Sequence, residues 1–275
     1  MKIINLIEDT KGVETCLYEH GLSFYIETQN HRLLLDTGAT DAFLYNAKEL
    51  GIDLTKVDTV IISHGHYDHT GGLLSFAELN PNAKIYIQKT ARGAFYNYRN
   101  CEEKYIGMDE KIAVLEQVTF LEGDYKIDDE LSIFTGVTGR KLWPKGNEIL
   151  KKKCGDEFVQ DDFCHEQYLV ISEGSENVLL SGCAHNGILN ILDKYREIYG
   201  NEPTHVISGF HMMKKNEYTS EDTQMIEETA CILYKMNTTF YTGHCTGEYP
   251  LEILKGILKD KLVAIHSGEE VKCNS

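Results

Sequence analysis

The stretch that most constrains this chain is residues 63–72, which read Ser-His-Gly-His-Tyr-Asp-His-Thr-Gly-Gly. Three histidines and one aspartate fall within six positions, directly after the apolar run at residues 60–62. A short β-branched run of this kind predicts a buried strand, and residues 73–79 predict a helix after it. The sequence therefore places a dense group of polar side chains on a loop between a strand and a helix.

This loop has the composition of a metal site. Imidazole binds borderline cations such as Zn, Fe and Mn, and carboxylate suits the harder ones. In extended backbone His64 and His66 point to the same side, whereas Asp68 and His69 are adjacent and diverge, so the two pairs can face two ions. A histidine-rich loop in solvent is the alternative, but the flanking strand and glycines favour the metal site.

Three further predicted strands end at histidines in the second half of the chain. The strand at residues 177–181 leads to His185, the strand at 205–208 to His211, and the strand at 238–241 to His244. Ligands collect beyond the C-terminal ends of strands in layered sheets. We therefore expect these histidines to lie near the loop at residues 63–72.

The first half of the chain predicts a layered α/β fold. A strand, a helix and a strand follow one another through residues 57–87, which is typical of that class (α/β, or α+β). Asp36 directly follows the strand predicted at residues 32–35. Its carboxylate can accept hydrogen bonds from the loop at residues 63–72, which we call the metal loop, or cap the next helix. Because no Gly, Ser or Pro linker divides the chain, we expect a single domain over residues 1–275, with insertions around residues 88–160.

The pattern His64-x-His66-x-Asp68-His69 resembles the metallo-β-lactamase superfamily. From about residue 3 to 270 the chain resembles one branch of it, whose members are named 7,8-dihydropterin-6-methyl-4-(β-D-ribofuranosyl)aminobenzene-5′-phosphate synthase. Further motifs carry this second resemblance: Glu-His-Gly-Leu-Ser at residues 19–23, Gly-Cys-Ala-His at 182–185, Gly-Phe-His at 209–211 and Gly-His-Cys-Thr-Gly at 243–247. The resemblance implies a four-layer αββα sandwich with metals between the sheet edges.

The resemblance also implies a set of ligands. The first ion would be held by His64, His66 and His185 and the second by Asp68, His69 and His244. Hydrolases of this superfamily commonly have Gly-Asp where this chain has Gly182-Cys183. Either Cys183 supplies a ligand, or the bridging position is lost and the second ion binds weakly.

Other residues near these motifs have open roles. If Cys183 takes the bridging position, His165 becomes an alternative third histidine, and His185 becomes an extra ligand or a catalytic group. Asp68 is a candidate to orient a water molecule. His211 and His20 are candidate donors to substrate oxyanions, with hydrogen bonding to backbone as the alternative for each. Lone histidines are more often packing or surface residues, and we assign His31, His205 and His266 to that group.

Two cations roughly 3.5–4 Å apart can bind one water molecule and lower its pKa toward 7. The sequence thus predicts a hydrolase acting on a small anionic substrate, with a phosphoester as the expected class and Zn as the expected metal, Mn and Fe being alternatives. The alternative reaction is that of the synthase branch, in which an aminobenzene ring attacks a pterin methylene and diphosphate leaves. A diiron redox protein and a non-catalytic metal-binding module are further alternatives.

The aromatic residues of the insertions have two interpretations. Tyr96, Tyr98, Tyr105 and Trp143 are suited to stack on flat substrate rings, and they are equally suited to ordinary packing. We therefore keep ring stacking and packing as alternative predictions for this group.

Composition limits the partners. The formal charge is −16 and the longest basic run is Lys151-Lys152-Lys153, which argues against nucleic acid and anionic membranes. Eight cysteines without C-x-x-C spacing fit free thiols in a reducing cytoplasm. Acidic residues at positions 8 and 9 interrupt any secretory apolar region, and no run approaches 18 apolar residues. We therefore expect a cytoplasmic protein whose partner is a small anionic molecule.

Overall fold

The computed structural model describes residues 1–99 and 102–273. Its strands are β1 Lys2–Ile7, β2 Ser23–Glu27, β3 Arg32–Leu35, β4 Thr59–Ile61, β5 Lys84–Gln88, β6 Phe95–Arg99, β7 Glu102–Tyr105, β8 Val118–Leu121, β9 Tyr125–Lys126, β10 Leu131–Phe134, β11 Leu150–Cys154, β12 Glu157–Gln160, β13 Tyr168–Glu173, β14 Glu176–Leu180, β15 His205–Ile207, β16 Thr239–Thr242, β17 Leu262–Ala264 and β18 Glu270–Val271. Its α-helices are α1 Ala42–Glu49, α2 Tyr67–Thr70, α3 Leu73–Leu79, α4 Ile188–Tyr199, α5 Ser220–Tyr234 and α6 Glu248–Leu258.

The strands form two seven-stranded sheets and a smaller one. The first sheet has the order β18-β1-β2-β3-β4-β5-β8, and the second has the order β17-β16-β15-β14-β13-β10-β9. Strands β3, β4, β5 and β8 are parallel neighbours, as are β14, β15, β16 and β17. The C-terminal ends of each parallel group therefore lie along one edge of its sheet.

Three apolar clusters divide the molecule into layers. One cluster joins α1 and α3 to the outer face of the first sheet, through residues such as Phe43, Phe76 and Val60. A second lies between the two sheets and includes Leu35 and Leu180. A third joins α4, α5 and α6 to the outer face of the second sheet. Because successive strand residues point to opposite faces, each sheet supplies side chains to two clusters. The predicted four-layer αββα sandwich is confirmed.

The region around residues 88–160 contributes to all three sheets. The residues at 121–127 predict one strand from their sequence, but this prediction is wrong: β8 ends at Leu121 in the first sheet and β9 begins at Tyr125 in the second. Gly123 lies between them with a φ of +106°, a conformation that other residues rarely adopt. The sequence pattern was continuous there, but the backbone crosses from one sheet to the other.

The small sheet has the order β12-β11-β6-β7, and its two faces differ. Tyr96 and Tyr98 pack on Phe158, with ring centroids 5.1 and 5.3 Å from its own, and Tyr105 packs on Tyr96 at 5.4 Å. Trp143 packs elsewhere, on Phe163 at 6.1 Å. None of these four tyrosine and tryptophan residues lines the main cavity described below. Among the two interpretations of the aromatic insertion, ordinary packing is the one that the structure supports.

No helix in the described part of the chain is both long enough and apolar enough to cross a membrane. The seven described cysteines are free thiols, and Cys16, Cys183 and Cys245 are buried. The eighth, Cys101, lies outside the described residues.

Candidate metal centre

The polar loop after β4 lies where the two sheets meet. Strands β3 and β4 of the first sheet lead to Asp36 and to the loop. In the second sheet, Cys183 follows the end of β14 by three residues and His244 follows the end of β16 by two. The loop passes into the single-turn helix α2, which carries Asp68 and His69. Side chains from four strand ends thus reach one buried region.

The first histidine cluster consists of His64, His66 and His185, all buried. The Nε2 atom of His64 lies 3.1 Å from Nδ1 of His66 and 3.3 Å from Nε2 of His185. Nitrogen ligands at about 2.0–2.1 Å around a tetrahedral Zn ion lie about 3.3–3.4 Å apart. The spacing of these nitrogens therefore matches the edges of a metal coordination shell.

Hydrogen bonds on the other side of two rings decide which nitrogen carries the proton. The Ser63 hydroxyl donates to Asp36 and so accepts from Nδ1 of His64, at 2.9 Å. Nδ1 of His185 donates to Oδ1 of Asn147 at 2.9 Å, and the Asn147 amide nitrogen donates to the His185 carbonyl. The Nε2 atoms of both rings are then unprotonated, and their lone pairs face each other. A cation between them would stabilise this arrangement.

The second cluster consists of Asp68, His69 and His244. Oδ2 of Asp68 lies 3.5 Å from Nε2 of both histidines. Nδ1 of His69 donates to Asp36 at 2.7 Å, and Nδ1 of His244 donates to Asp9 at 2.5 Å. Each Nε2 atom therefore turns a lone pair toward the Asp68 carboxylate, and Nε2 of His244 is buried without a hydrogen-bond partner among the described residues. This donor set also fits a cation.

Cys183 joins the two clusters. Its Sγ atom lies 3.2 Å from Nε2 of His69 and within 4.8 Å of the ligand atoms of the whole second cluster. It also lies within 4.8 Å of the ligand atoms of His64 and His185 in the first cluster. A second thiol, Cys245, lies on the far side, and its Sγ atom, that of Cys183 and a ring nitrogen of His211 lie within 4.8 Å of one another. The position that commonly carries a bridging aspartate in hydrolases therefore carries a buried thiol here.

Electrostatics separate the clusters. Burial, and then the neighbouring imidazoles, hold the pKa of His64 and His185 well below the ordinary value and lower the pKa of His66 to about 3. The first cluster is therefore neutral, the state that binds metals.

In the second cluster the charges favour ionisation. Burial raises the pKa of Asp68, but the neighbouring imidazoles of His69 and His244 bring it well below its usual range. Burial lowers the pKa of His244, but the carboxylates of Asp68 and Asp9 beside its ring raise it well above its usual range. This pair therefore attracts either a proton or a metal cation.

Asp36 anchors the loop at residues 63–72 through hydrogen bonds to Ser63 and His69. Its carboxylate accepts hydrogen bonds from the Ser63 amide at 2.7 Å, the Ser63 hydroxyl at 2.6 Å and His69 at 2.7 Å. Gly182 makes room for this contact, since a Cβ atom there would lie 2.2 Å from the Ser63 hydroxyl. Asp36 thus orients both the loop and one imidazole.

His165 lies behind the first cluster. Its Nδ1 atom accepts from the Gly65 amide at 3.1 Å, and its Nε2 atom lies 3.2 Å from Asp161. Both ring nitrogens are therefore engaged with protein groups, and the ring supports the backbone between His64 and His66.

His20 and His211 lie at the mouth of the site. His20 contacts Asp9 at 2.8 Å, and its Nε2 atom lies 3.6 Å from Asp68. The ring of His211 lies 4.1 Å from that of His185, and its Nδ1 atom has no partner among the described residues. The other three histidines contact groups elsewhere: His31 with Asp58 and Asp128, His205 with Glu176 and His266 with Thr10.

Sequence reasoning missed three supporting residues. Asp9 contacts both His20 and His244, Glu8 accepts from the His244 amide at 3.0 Å, and Asn147 orients His185. The acidic pair directly after β1 was a usable signal, because carboxylates at strand ends often support metal sites. Nothing local marked Asn147, which lies 38 positions from its partner.

The clusters open into one cavity of about 690 Å³. Asp68, His66, Cys183 and His185 lie in its wall together with His20 and His211. The small sheet and the segments around residues 145–150 and 213–216 form the other walls. A small molecule entering this cavity meets both clusters.

Comparison with known proteins agrees with the family resemblance of the sequence motifs. The family model of the metallo-beta-lactamase superfamily matches residues 19–146. The 7,8-dihydropterin-6-methyl-4-(beta-D-ribofuranosyl)-aminobenzene-5′-phosphate synthase of Methanocaldococcus jannaschii is 28% identical over 99% of this chain and 96% of its own length. An uncharacterised protein of the same organism is 30% identical over 77% of this chain and 80% of its own length.

Among solved structures, one described as a metal-dependent hydrolase of the beta-lactamase superfamily superposes with a TM-score of 0.85 and 29% identity, covering 100% of both chains. Zn-bound PqqB from Methylobacterium extorquens has the same fold at 12% identity, with a TM-score of 0.57 over 99% of this chain and 100% of that chain.

Proposed function

Because this chain belongs to the metallo-β-lactamase superfamily, we propose that it is a metal-dependent hydrolase of a small anionic ester, with a phosphoester as the substrate class. The full-length similarity to a structure described as a metal-dependent hydrolase supports this reaction type. The proposed ligands are His64, His66 and His185 for one ion and Asp68, His69 and His244 for the other, with Cys183 between them. Zn is the proposed metal, and Mn and Fe suit the same donors.

One observation carries the proposal: four imidazole lone pairs face inward because the opposite nitrogens donate to fixed acceptors. Those acceptors are Ser63, Asn147, Asp36 and Asp9. Lone pairs held close together without a proton or cation repel one another. The fold nevertheless holds these four in place, and a bound cation would relieve their repulsion. Divalent cations bound there supply Lewis acidity and lower the pKa of a water molecule toward neutrality.

The chain's own residues then act on the reactants. Asp68 is ionised and its carboxylate faces the cavity, so it can accept a proton from the attacking water. His211 lines the cavity with a buried Nδ1 atom that lacks a partner among the described residues, and it is the proposed donor to an oxyanion of the substrate. His20, held by Asp9 beside Asp68, positions that carboxylate.

The proposal is tested with bis(p-nitrophenyl) phosphate as a chromogenic ester. We expect turnover that requires added divalent cation, that a chelator abolishes, and that falls at least about a hundredfold in His66→Ala. His31→Gln serves as the control, because His31 contacts Asp58 and Asp128 away from the cavity. Turnover that survives the chelator, or that His66→Ala leaves unchanged, would contradict the proposal.

The second candidate is a transferase of the synthase type. The relative that carries the synthase name matches this chain over almost its full length, which favours this candidate. The same ligands would then neutralise a departing diphosphate. Diphosphate release from a dihydropterin diphosphate in the presence of an arylamine phosphate tests it, and release that is independent of the arylamine would exclude the transfer reaction.

A further inference from the structure

The cavity beside the metal centre is rich in cations, although the protein as a whole is acidic. The chain has 27 basic and 43 acidic residues. Five basic residues from three separate segments nevertheless line this one cavity, namely Arg99, Lys104, Lys145, Lys214 and Lys215, together with the four acidic residues Asp68, Glu102, Glu148 and Asp222. Basic residues therefore outnumber acidic ones here, the reverse of the whole chain, which favours an anionic ligand.

The hairpin of β6 and β7 forms one wall. Asn97 pairs with Lys104 across the hairpin and Arg99 with Glu102, and these four residues line the cavity. The alternate residues Tyr96 and Tyr98 pack on the other face, as expected from the two-residue repeat of a strand. The side-chain pattern of the hairpin therefore presents polar groups to the cavity.

Two of these cations already have acidic partners. Lys145 lies 3.0 Å from Glu221, and Lys214 contacts Asp222 at 2.5 Å. Arg99 pairs with Glu102 only in the backbone register of the hairpin, and no carboxylate oxygen of residues 1–99 and 102–273 lies within 4.0 Å of its guanidinium nitrogens. The same holds for the ammonium groups of Lys104 and Lys215, which lack such a neighbour in register.

Lys104 is also held close to the metal loop. Its ammonium group lies 5.2 Å from the ring centroid of Tyr67, which stands between His66 and Asp68 in the chain. A cation–π contact at this distance restrains the side chain and leaves its three N–H groups free to donate to an anion. Lys215 approaches the cavity from the segment after His211.

We infer that the cavity recognises a second anionic group of the substrate, a phosphate distal to the reacting ester, through Lys104 and Lys215. This inference rests on the proposed function, because the reacting end of the substrate is bound at the metal centre. Substrates with two anionic ends are therefore preferred over substrates with one. Ammonium groups act as point charges for phosphate and tolerate different orientations of the distal group.

The test compares two non-hydrolysable probes, phenylphosphonate and para-phenylenediphosphonate, which differ only in the distal anion. Binding to the Zn-loaded protein is measured by calorimetry at fixed ionic strength. We expect the wild type to bind the diphosphonate about tenfold or more tightly than phenylphosphonate. In the double variant Lys104→Gln, Lys215→Gln we expect this preference to vanish, while the affinity for phenylphosphonate stays the same.

Lys126→Gln is the matched control, because Lys126 pairs with Asp129 on β9 and does not line the cavity. Equal binding of the two probes by the wild type would overturn the inference. So would a double variant that keeps the preference, or a loss of preference in Lys126→Gln. This test records binding rather than turnover. If the protein cleaves no ester, the proposed hydrolase function fails, but the binding comparison still tests the distal site.

Discussion

Single residues set the protonation of the metal centre. His69 presents its Nε2 lone pair to Asp68 because Asp36 accepts the proton on Nδ1. His244 does the same because Asp9 accepts its Nδ1 proton. Partners of this kind fix both the tautomer and the orientation of an imidazole, and their loss typically reduces metal affinity by about 10–100-fold. The residues behind the ligands therefore matter nearly as much as the ligands.

Asp36→Asn is the direct test of this role. The amide has the same shape but lacks the charge, and it offers one acceptor instead of two to the Ser63 and His69 donors. We expect the affinity for the second metal ion to fall about tenfold or more, measured by competition with a chromophoric chelator. Asp53→Asn, on the surface at a short helix start, is the control. Equal metal affinity in both variants would show that the Asp36 charge is not needed.

Gly182→Ala tests the space behind the loop. The added Cβ atom would lie 2.2 Å from the Ser63 hydroxyl and 3.1 Å from Nδ1 of His64, so the loop must shift. We expect weaker binding of the first metal ion, and a free energy of unfolding lowered by about 1–3 kcal/mol, the usual cost of overpacking. Metal titration and urea denaturation measure the two effects. An unchanged metal affinity and an unchanged free energy of unfolding would show that Ser63 moves aside without cost.

At the scale of elements, the predictions succeeded where the pattern was local. Helix α3 has the predicted limits at residues 73–79. Helix α5 was missed although Thr219 and Asp222 form a capping box at its start. The small sheet was also missed, because β7 and β11 consist mainly of charged residues, which are rare in strands, and the pairing of β6 with β11 joins segments about 50 residues apart.

Helix α6 contains a glycine that no contact requires. A Cβ atom on Gly256 would meet nothing within 4 Å, and the residue lies inside the helix. Alanine in a helix interior is more favourable than glycine by about 0.5–1 kcal/mol. We expect Gly256→Ala to raise the free energy of unfolding by this amount in urea denaturation, without changing metal affinity. A decrease would mean that the position needs the freedom of glycine, and Gly182→Ala is the natural contrast.

At the scale of the whole molecule, His31 links the two main sheets at the end away from the metal loop. It precedes β3, and its ring contacts Asp58 before β4 and Asp128 before β10, at 2.9 Å and 2.6 Å. Burial lowers its pKa, but the hydrogen bonds to Asp58 and Asp128 outweigh burial and raise it. His31 therefore binds its proton more tightly in the folded state than in the unfolded state.

This linkage gives a pH dependence with a definite sign. A group whose pKa is raised on folding contributes its full stabilisation below the unfolded pKa of about 6.5 and loses it as the pH rises through the folded value. We expect the difference in unfolding free energy between wild type and His31→Gln to be larger at about pH 6 than at about pH 8.5. Urea denaturation at the two pH values measures it, and a difference independent of pH would refute the link.

The sequence alone predicted the class of fold and a candidate cation site, because both depend on short-range patterns. Hydrophobic spacing indicates strands and helices, and the clustered residues His64, His66, Asp68 and His69 indicate a candidate cation site within six positions. Tertiary structure alone decided which ring nitrogens face the centre, since their partners lie far away: Asp9 is 235 positions from His244. It also decided that Cys183 lies between the clusters and that the tyrosines of the hairpin face away from the cavity. These outcomes depend on which surfaces pack together, and packing between distant segments leaves no periodic signal in the chain.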